Sequence, residues 1–197
     1  TYITNNTHYN GSSWVRDDNG VGTSFIGAGD GIINFGTSTG ATPTNRWVID
    51  STGNLVPQST SLGIYLGVSS ATAANLLDDY EEGTWTVTDG SGAGLSFTVT
   101  NNKYTKVGRL VVASAQVLFP TTSSSAYAQL NVPFTSVASA SEHGGVVIEQ
   151  NYDTSNVLTA AMNSNTAVWF RVNGGAALTN ANLSGKKLRF TVTYHAA

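Results

Sequence analysis

The amino-acid sequence predicts an all-β protein in two parts, a short-stranded, shaft-like N-terminal segment followed by a jelly-roll-like antiparallel β-sandwich. Three observations predict it. Only 11% of residues are charged while 40% are hydrophobic, and the remainder is dominated by Gly, Ser, Thr and Asn, which suit turns and short strands better than helices. Short apolar pulses alternate with turn signals along the whole chain. Near the C-terminus the alternation is strict: Leu188, Phe190, Val192 and Tyr194 share one face of a strand, and Arg189, Thr191 and Thr193 share the other.

Taken in order, residues 1–77 hold 11 of the 21 glycines and carry the pulses Trp14-Val15, Phe25-Ile26, Ile32-Ile33-Asn34-Phe35, Trp47-Val48-Ile49 and Leu55-Val56. Asp18-Asn19-Gly20 and Ser51-Thr52-Gly53-Asn54 read as tight hairpin turns, because Asn, Asp and Gly tolerate positive φ. Gly27-Ala28-Gly29-Asp30-Gly31 reads as a flexible turn between two pulses. Pulses this short cannot close a generous core, and small units of this kind need metals, disulfides or association. With no Cys in the chain, association is the expected help, with strands of neighbouring copies intertwined around a shared axis.

Residues 69–83 form the stretch with helix content, a Ser N-cap, an Ala-rich body and a terminating Gly, and a short helical turn or ordered linker is expected there. It marks the boundary to the second domain, residues 78–197. There the pattern predicts strands near 84–88, 95–100, 103–107, 109–119, 126–132, 145–150, 157–162, 167–172 and 187–195, enough for a β-sandwich.

Composition also restricts function. A formal net charge of −3 gives no basis for gripping a phosphate backbone, so nucleic acid is not an expected partner. No apolar run approaches the roughly 20 residues of a membrane-spanning helix, and the N-terminus has no signal-peptide pattern. Thr1 stands at the first position and Met162 is the single Met, so the chain is expected to be part of a longer protein.

Three stretches carry a family resemblance. Leu76-Leu77-Asp78-Asp79-Tyr80-Glu81-Glu82-Gly83-Thr84-Trp85-Thr86 resembles the LDDYEEGTW-type junction that introduces a C-terminal β-domain in tail fibres and tail spikes of tailed bacteriophages. Tyr104-Thr105-Lys106-Val107-Gly108-Arg109-Leu110-Val111 resembles the strand pair of the same family, and Leu183–Tyr194 its terminal strand. Upstream, Arg46–Pro57 is similar to an R-x-x-I-D-x-x-G-N-x-x-P unit of phage fibres. The resemblance implies a homotrimeric fibre tip in the virion, assembled in the host cytoplasm, joined upstream to other tail proteins and touching a bacterial surface glycan or surface protein. Two alternatives stand beside it: a tail-spike depolymerase that cleaves host polysaccharide, and a purely structural trimerisation or capping module.

No catalytic residue, metal site or cofactor is assigned from the residues. Asp78, Asp79, Glu81 and Glu82 are consecutive carboxylates, whereas catalytic pairs come from separate elements meeting in a cleft; they read as a structural hinge. Asp17-Asp18-Asn19-Gly20 lacks the ligand series of a calcium loop. Gly36-Thr37-Ser38-Thr39-Gly40 matches a nucleophile elbow in letters, but Ala41-Thr42-Pro43 follows it instead of a helix. His8, His143 and His195 are scattered. Sugar rings stack on aromatic side chains while their hydroxyls pair with Asn and Asp, so Tyr127, Trp169 and the loop residues Asn151, Tyr152 and Asp153 are the candidate ligand-binding residues. Trp85 and Trp169 also lie in strand patterns that would bury them; Tyr152 is the aromatic expected to be exposed.

Overall fold

The structure, a computed structural model, describes residues 1–72, 75–77, 79–137, 144–150, 157–164, 166–172 and 175–197. Within them the chain is all-β, with seventeen strands and no α-helix, and every strand pairing is antiparallel. It divides into two compact units, Thr1–Asp78 and Asp79–Ala197.

In the first unit, strands β1 (Tyr2–Asn5), β4 (Thr23–Gly29), β5 (Ile32–Ser38), β6 (Thr44–Ile49) and β7 (Leu55–Pro57) form a five-stranded sheet in the order β1-β4-β5-β6-β7. Strands β2 (Thr7–Tyr9) and β3 (Trp14–Arg16) make a separate hairpin, and β8 (Ile64–Tyr65) pairs with β9 (Leu76–Leu77). The packing centre is aromatic: Trp14 stacks on Phe25 at 5.1 Å between ring centroids, and Tyr2 meets both edge-on. Glycine is required beneath it. A Cβ at Gly36 would lie 2.1 Å from the Phe25 ring, so only a bare backbone lets the ring settle onto β5. Phe25 and Val48 are the only large apolar side chains of this unit that are buried among the described residues.

The turns differ in detail from the sequence reading. Gly27, Ala28 and Gly29 belong to β4, and the turn itself is Asp30-Gly31, both at positive φ, as a two-residue hairpin demands. Asp18-Asn19-Gly20 does turn, with Gly20 N–H donating to the Asp18 carboxylate at 2.8 Å, but it joins β3 to β4, which are not paired. The β6–β7 hairpin is closed as expected at residues 51–54. Its Asp50 carboxylate accepts from the backbone N–H of Asn54 and from the Thr52 hydroxyl and Asn54 amide, which together hold its pKa down at about 2.

Residues 69–83, where a short helical turn or ordered linker is expected, show one turn and two strand segments in their described part. The turn there is a single backbone bond, Asn75 N–H to the Thr72 carbonyl; Leu76 and Leu77 are in β9, and Tyr80–Thr84 is strand β10 of the second unit.

The second unit is one eight-stranded sheet. Its strands are β10, β11 (Thr98–Val107), β12 (Leu110–Leu118), β13 (Gln129–Asn131), β14 (Gly144–Gln150), β15 (Leu158–Ser164), β16 (Ala167–Val172) and β17 (Lys187–His195), in the order β10-β11-β12-β17-β14-β15-β16-β13. The sheet folds over on itself into a sandwich-like body. Phe170 of β16 and Phe190 of β17 are separated by two intervening strands, which would hold them roughly 14 Å apart in a flat sheet. Their ring centroids lie 5.6 Å apart. The two outermost strands are also brought together: the chain leaving β10 runs to the free edge of β13, where Gly90 N–H donates to Gln129 O and Asn131 N–H to Thr88 O. Between the two layers lie Val111, Val117, Leu130, Val168, Phe170, Leu183, Leu188 and Val192, all completely buried, at about 1.5–3 kcal/mol for each large apolar side chain.

Two predicted strands, 95–100 and 103–107, are one. Strand β11 crosses the gap through a bulge in which Asn101 and Asn102 together oppose Ala115, and the extra residue restores the alternation so that Val99, Asn102 and Tyr104 all face inward. Asn102 uses its amide to donate to the Trp85 carbonyl. Trp85 is buried, as its strand-like context predicts, although it lies just beyond the end of β10.

Candidate aromatic binding site

Alternation on β16 creates the site. Val168 and Phe170 enter the core, so Trp169 and Arg171 between and beyond them emerge on the outer face. On the neighbouring strand Gln129 lies directly opposite Trp169, with Leu130 buried beside it, and Tyr127 lies two residues before Gln129 on the same face. Its backbone is held by a bridge to Thr179. Tyr127 is 54% exposed and meets Trp169 edge to face, with centroids 6.2 Å apart and planes at 86°. The Arg171 guanidinium lies 4.4 Å from the Trp169 ring centroid.

Two of the five sequence candidates, Tyr127 and Trp169, are thus brought together from different strands. Trp169 is half-buried, intermediate between the core and the exposed reading. Asn151, Tyr152 and Asp153 lie outside the described residues, as does His143. Arg171 was not singled out from the sequence, but its position two residues beyond Trp169 in an alternating strand is the signal that places it on the same face. The indole N–H of Trp169 and the Nε–H of Arg171 are buried and have no acceptor within the protein. The patch therefore offers an aromatic edge and face for the C–H side of a sugar ring, with the Arg171 guanidinium beside it.

The other candidate chemistry resolves into structure. Lys106 forms an ion pair with Asp79, and the Tyr80 hydroxyl donates to Glu82 at 3.3 Å, with the Glu82 charge raising the tyrosine pKa. Burial, then the Glu81 charge, raises the pKa of Tyr104 on the adjacent strand. Glu81 and Glu82 thus lie on edge strand β10, and the boundary between the two units falls just before it, at Asp78 and Asp79. Ser38 Oγ accepts from Gly40 N–H at 2.8 Å in a turn, with no helix behind it, and His8 pairs with Asp17 at 2.8 Å on the exposed β2–β3 hairpin. Among the described residues no cluster of three His, Cys, Asp or Glu side chains gathers to hold a metal.

Comparison with protein families, with curated proteins and with solved structures finds no match to this chain.

Proposed function

We propose that this chain is the distal, receptor-binding part of a phage tail fibre or spike, acting by multivalent adhesion to a bacterial surface glycan. The observation that carries the glycan reading is the Tyr127–Trp169 pair with Arg171, an outward aromatic patch beside a guanidinium on a sheet. The fibre reading rests on the resemblance of Leu76–Thr86, Tyr104–Val111 and Leu183–Tyr194 to phage fibre sequences. The chain works as a homotrimer, a reading supported by its first unit: twelve of the nineteen exposed large apolar side chains among the described residues lie there, against two buried ones. Three weak sites on one tip raise the effective concentration of each for the next, so poor individual affinities become stable attachment.

Tyr127→Ala tests the site. The ring is exposed, so the fold tolerates its removal, and each site is expected to weaken by about tenfold, the scale of one lost aromatic contact. Binding of the purified chain to host cells is expected to fall by more than that, because three sites act together. Undiminished adhesion of a folded Tyr127→Ala variant overturns the assignment of this patch, and product release from purified capsule or lipopolysaccharide overturns a purely adhesive role.

A further inference from the structure

A concave site lies on the outer face of the same sheet, at the β11 bulge. Its cavity, about 270 Å³, is lined by Asn101, Ser114, Gln116, Arg189 and Thr191, with Ala115 and Phe190 between them. Register puts these groups on one face: Thr100, Gln116 and Arg189 form one cross-strand row, and Lys103, Ser114 and Thr191 the next. The bulge opens the wall between the rows and throws Asn101 outward at φ 55°, a left-handed conformation seldom adopted by a residue other than glycine.

Arg189 is pre-positioned in this cavity. Its Nε–H donates to Gln116 Oε1 at 2.7 Å, and Gln116 in turn is fixed by donating from Nε2 to Thr100 Oγ1 at 2.9 Å. Among the described residues no carboxylate pairs with Arg189, and Lys103 adds a second positive charge on the same face. A guanidinium oriented through Nε, with its terminal nitrogens left over, is the geometry that grips two oxygens of one anionic group. Ser114, Thr191 and Asn101 add neutral hydrogen-bonding groups around it. The volume sits at the small end of ligand sites, matching one sugar ring and not a chain of them.

We infer that this cavity binds a single carboxylate-bearing sugar residue, a uronic or similar acid, with Arg189 clamping the carboxylate and Ser114, Thr191 and Asn101 meeting the ring hydroxyls. The sugar part of the inference rests on the glycan reading above; the anion part rests on Arg189 alone. The test is a two-dimensional NMR titration of the full chain with methyl glucuronide, neutral methyl glucoside, acetate and inorganic phosphate. Methyl glucuronide is expected to shift Arg189 Nε–H and the amides of Ser114 and Thr191, with at least tenfold higher affinity than the other three. Arg189→Gln and, independently, Gln116→Glu, which sets a carboxylate of the chain's own against the guanidinium, are each expected to weaken it at least tenfold.

Equal affinity for glucuronide and glucoside, or variants without effect, overturns the inference. Acetate or phosphate binding as tightly as glucuronide overturns the sugar assignment and leaves a general anion site. Failure here is distinguishable from failure of the adhesive reading: Tyr127→Ala is expected to reduce cell binding while leaving the glucuronide titration unchanged.

Discussion

Tyr194 shows how much one buried side chain can decide. It is 1% exposed at the end of β17, its hydroxyl oxygen accepts from Phe134 N–H at 3.1 Å, and burial pushes its pKa up to about 12. The fold therefore favours the neutral phenol. Its contribution to stability is complete below the unfolded pKa of about 10 and is lost as pH rises from there through about 12. In an alkaline titration one tyrosine is expected to ionise late, near pH 12 or together with unfolding, and Tyr194→Phe removes that last step. Ultraviolet absorbance followed alongside circular dichroism checks it; phenolate formation complete near pH 10 with the fold intact contradicts it. The inward position of Tyr194 was legible from the alternation of residues 188–194. Its partner Phe134 was not, because the two are sixty positions apart and meet only through the fold of the sheet.

Strands and turns divide in the same way. Strands β12, β14, β15, β16 and β17 fall close to where the apolar alternation puts them, since a half-buried strand writes its own period. The β11 bulge was read as a break between two strands, because an inserted residue disrupts the alternation locally while the hydrogen-bonded strand continues through it. Strand β10 was obscured by its carboxylates; on an edge, charges are what keep the strand from pairing with a foreign one. In the first unit the critical element is β5. Gly36→Ala forces a methyl group into the Phe25 ring, and the first unit is expected to lose about 1–3 kcal/mol, the usual cost of overpacking. Thermal denaturation followed by tryptophan fluorescence reads this through Trp14, which stacks on Phe25, and an unchanged melting profile contradicts it.

The two units contrast in how they bury apolar surface. The second folds one sheet around a continuous core, whereas the first leaves Tyr2, Ile3, Leu55 and Leu66 more than half exposed. A unit so poorly covered calls for partners, and the proposed homotrimer makes this quantitative. Light scattering of the purified chain is expected to give three times its 20.6 kDa mass. A stable monomer removes the basis for multivalent attachment.

Local sequence was enough to establish the strand class, the outward face of β17, and the turn at residues 51–54, because periodicity and positive-φ residues act within a few positions of themselves. The closing of the chain beyond β10 against β13, the meeting of Tyr127 with Trp169 and the pinning of Arg189 by Gln116 were decided only in the tertiary structure. Each joins residues more than forty positions apart, and which strands become neighbours depends on the packing of the whole core, a property that no short window of sequence contains.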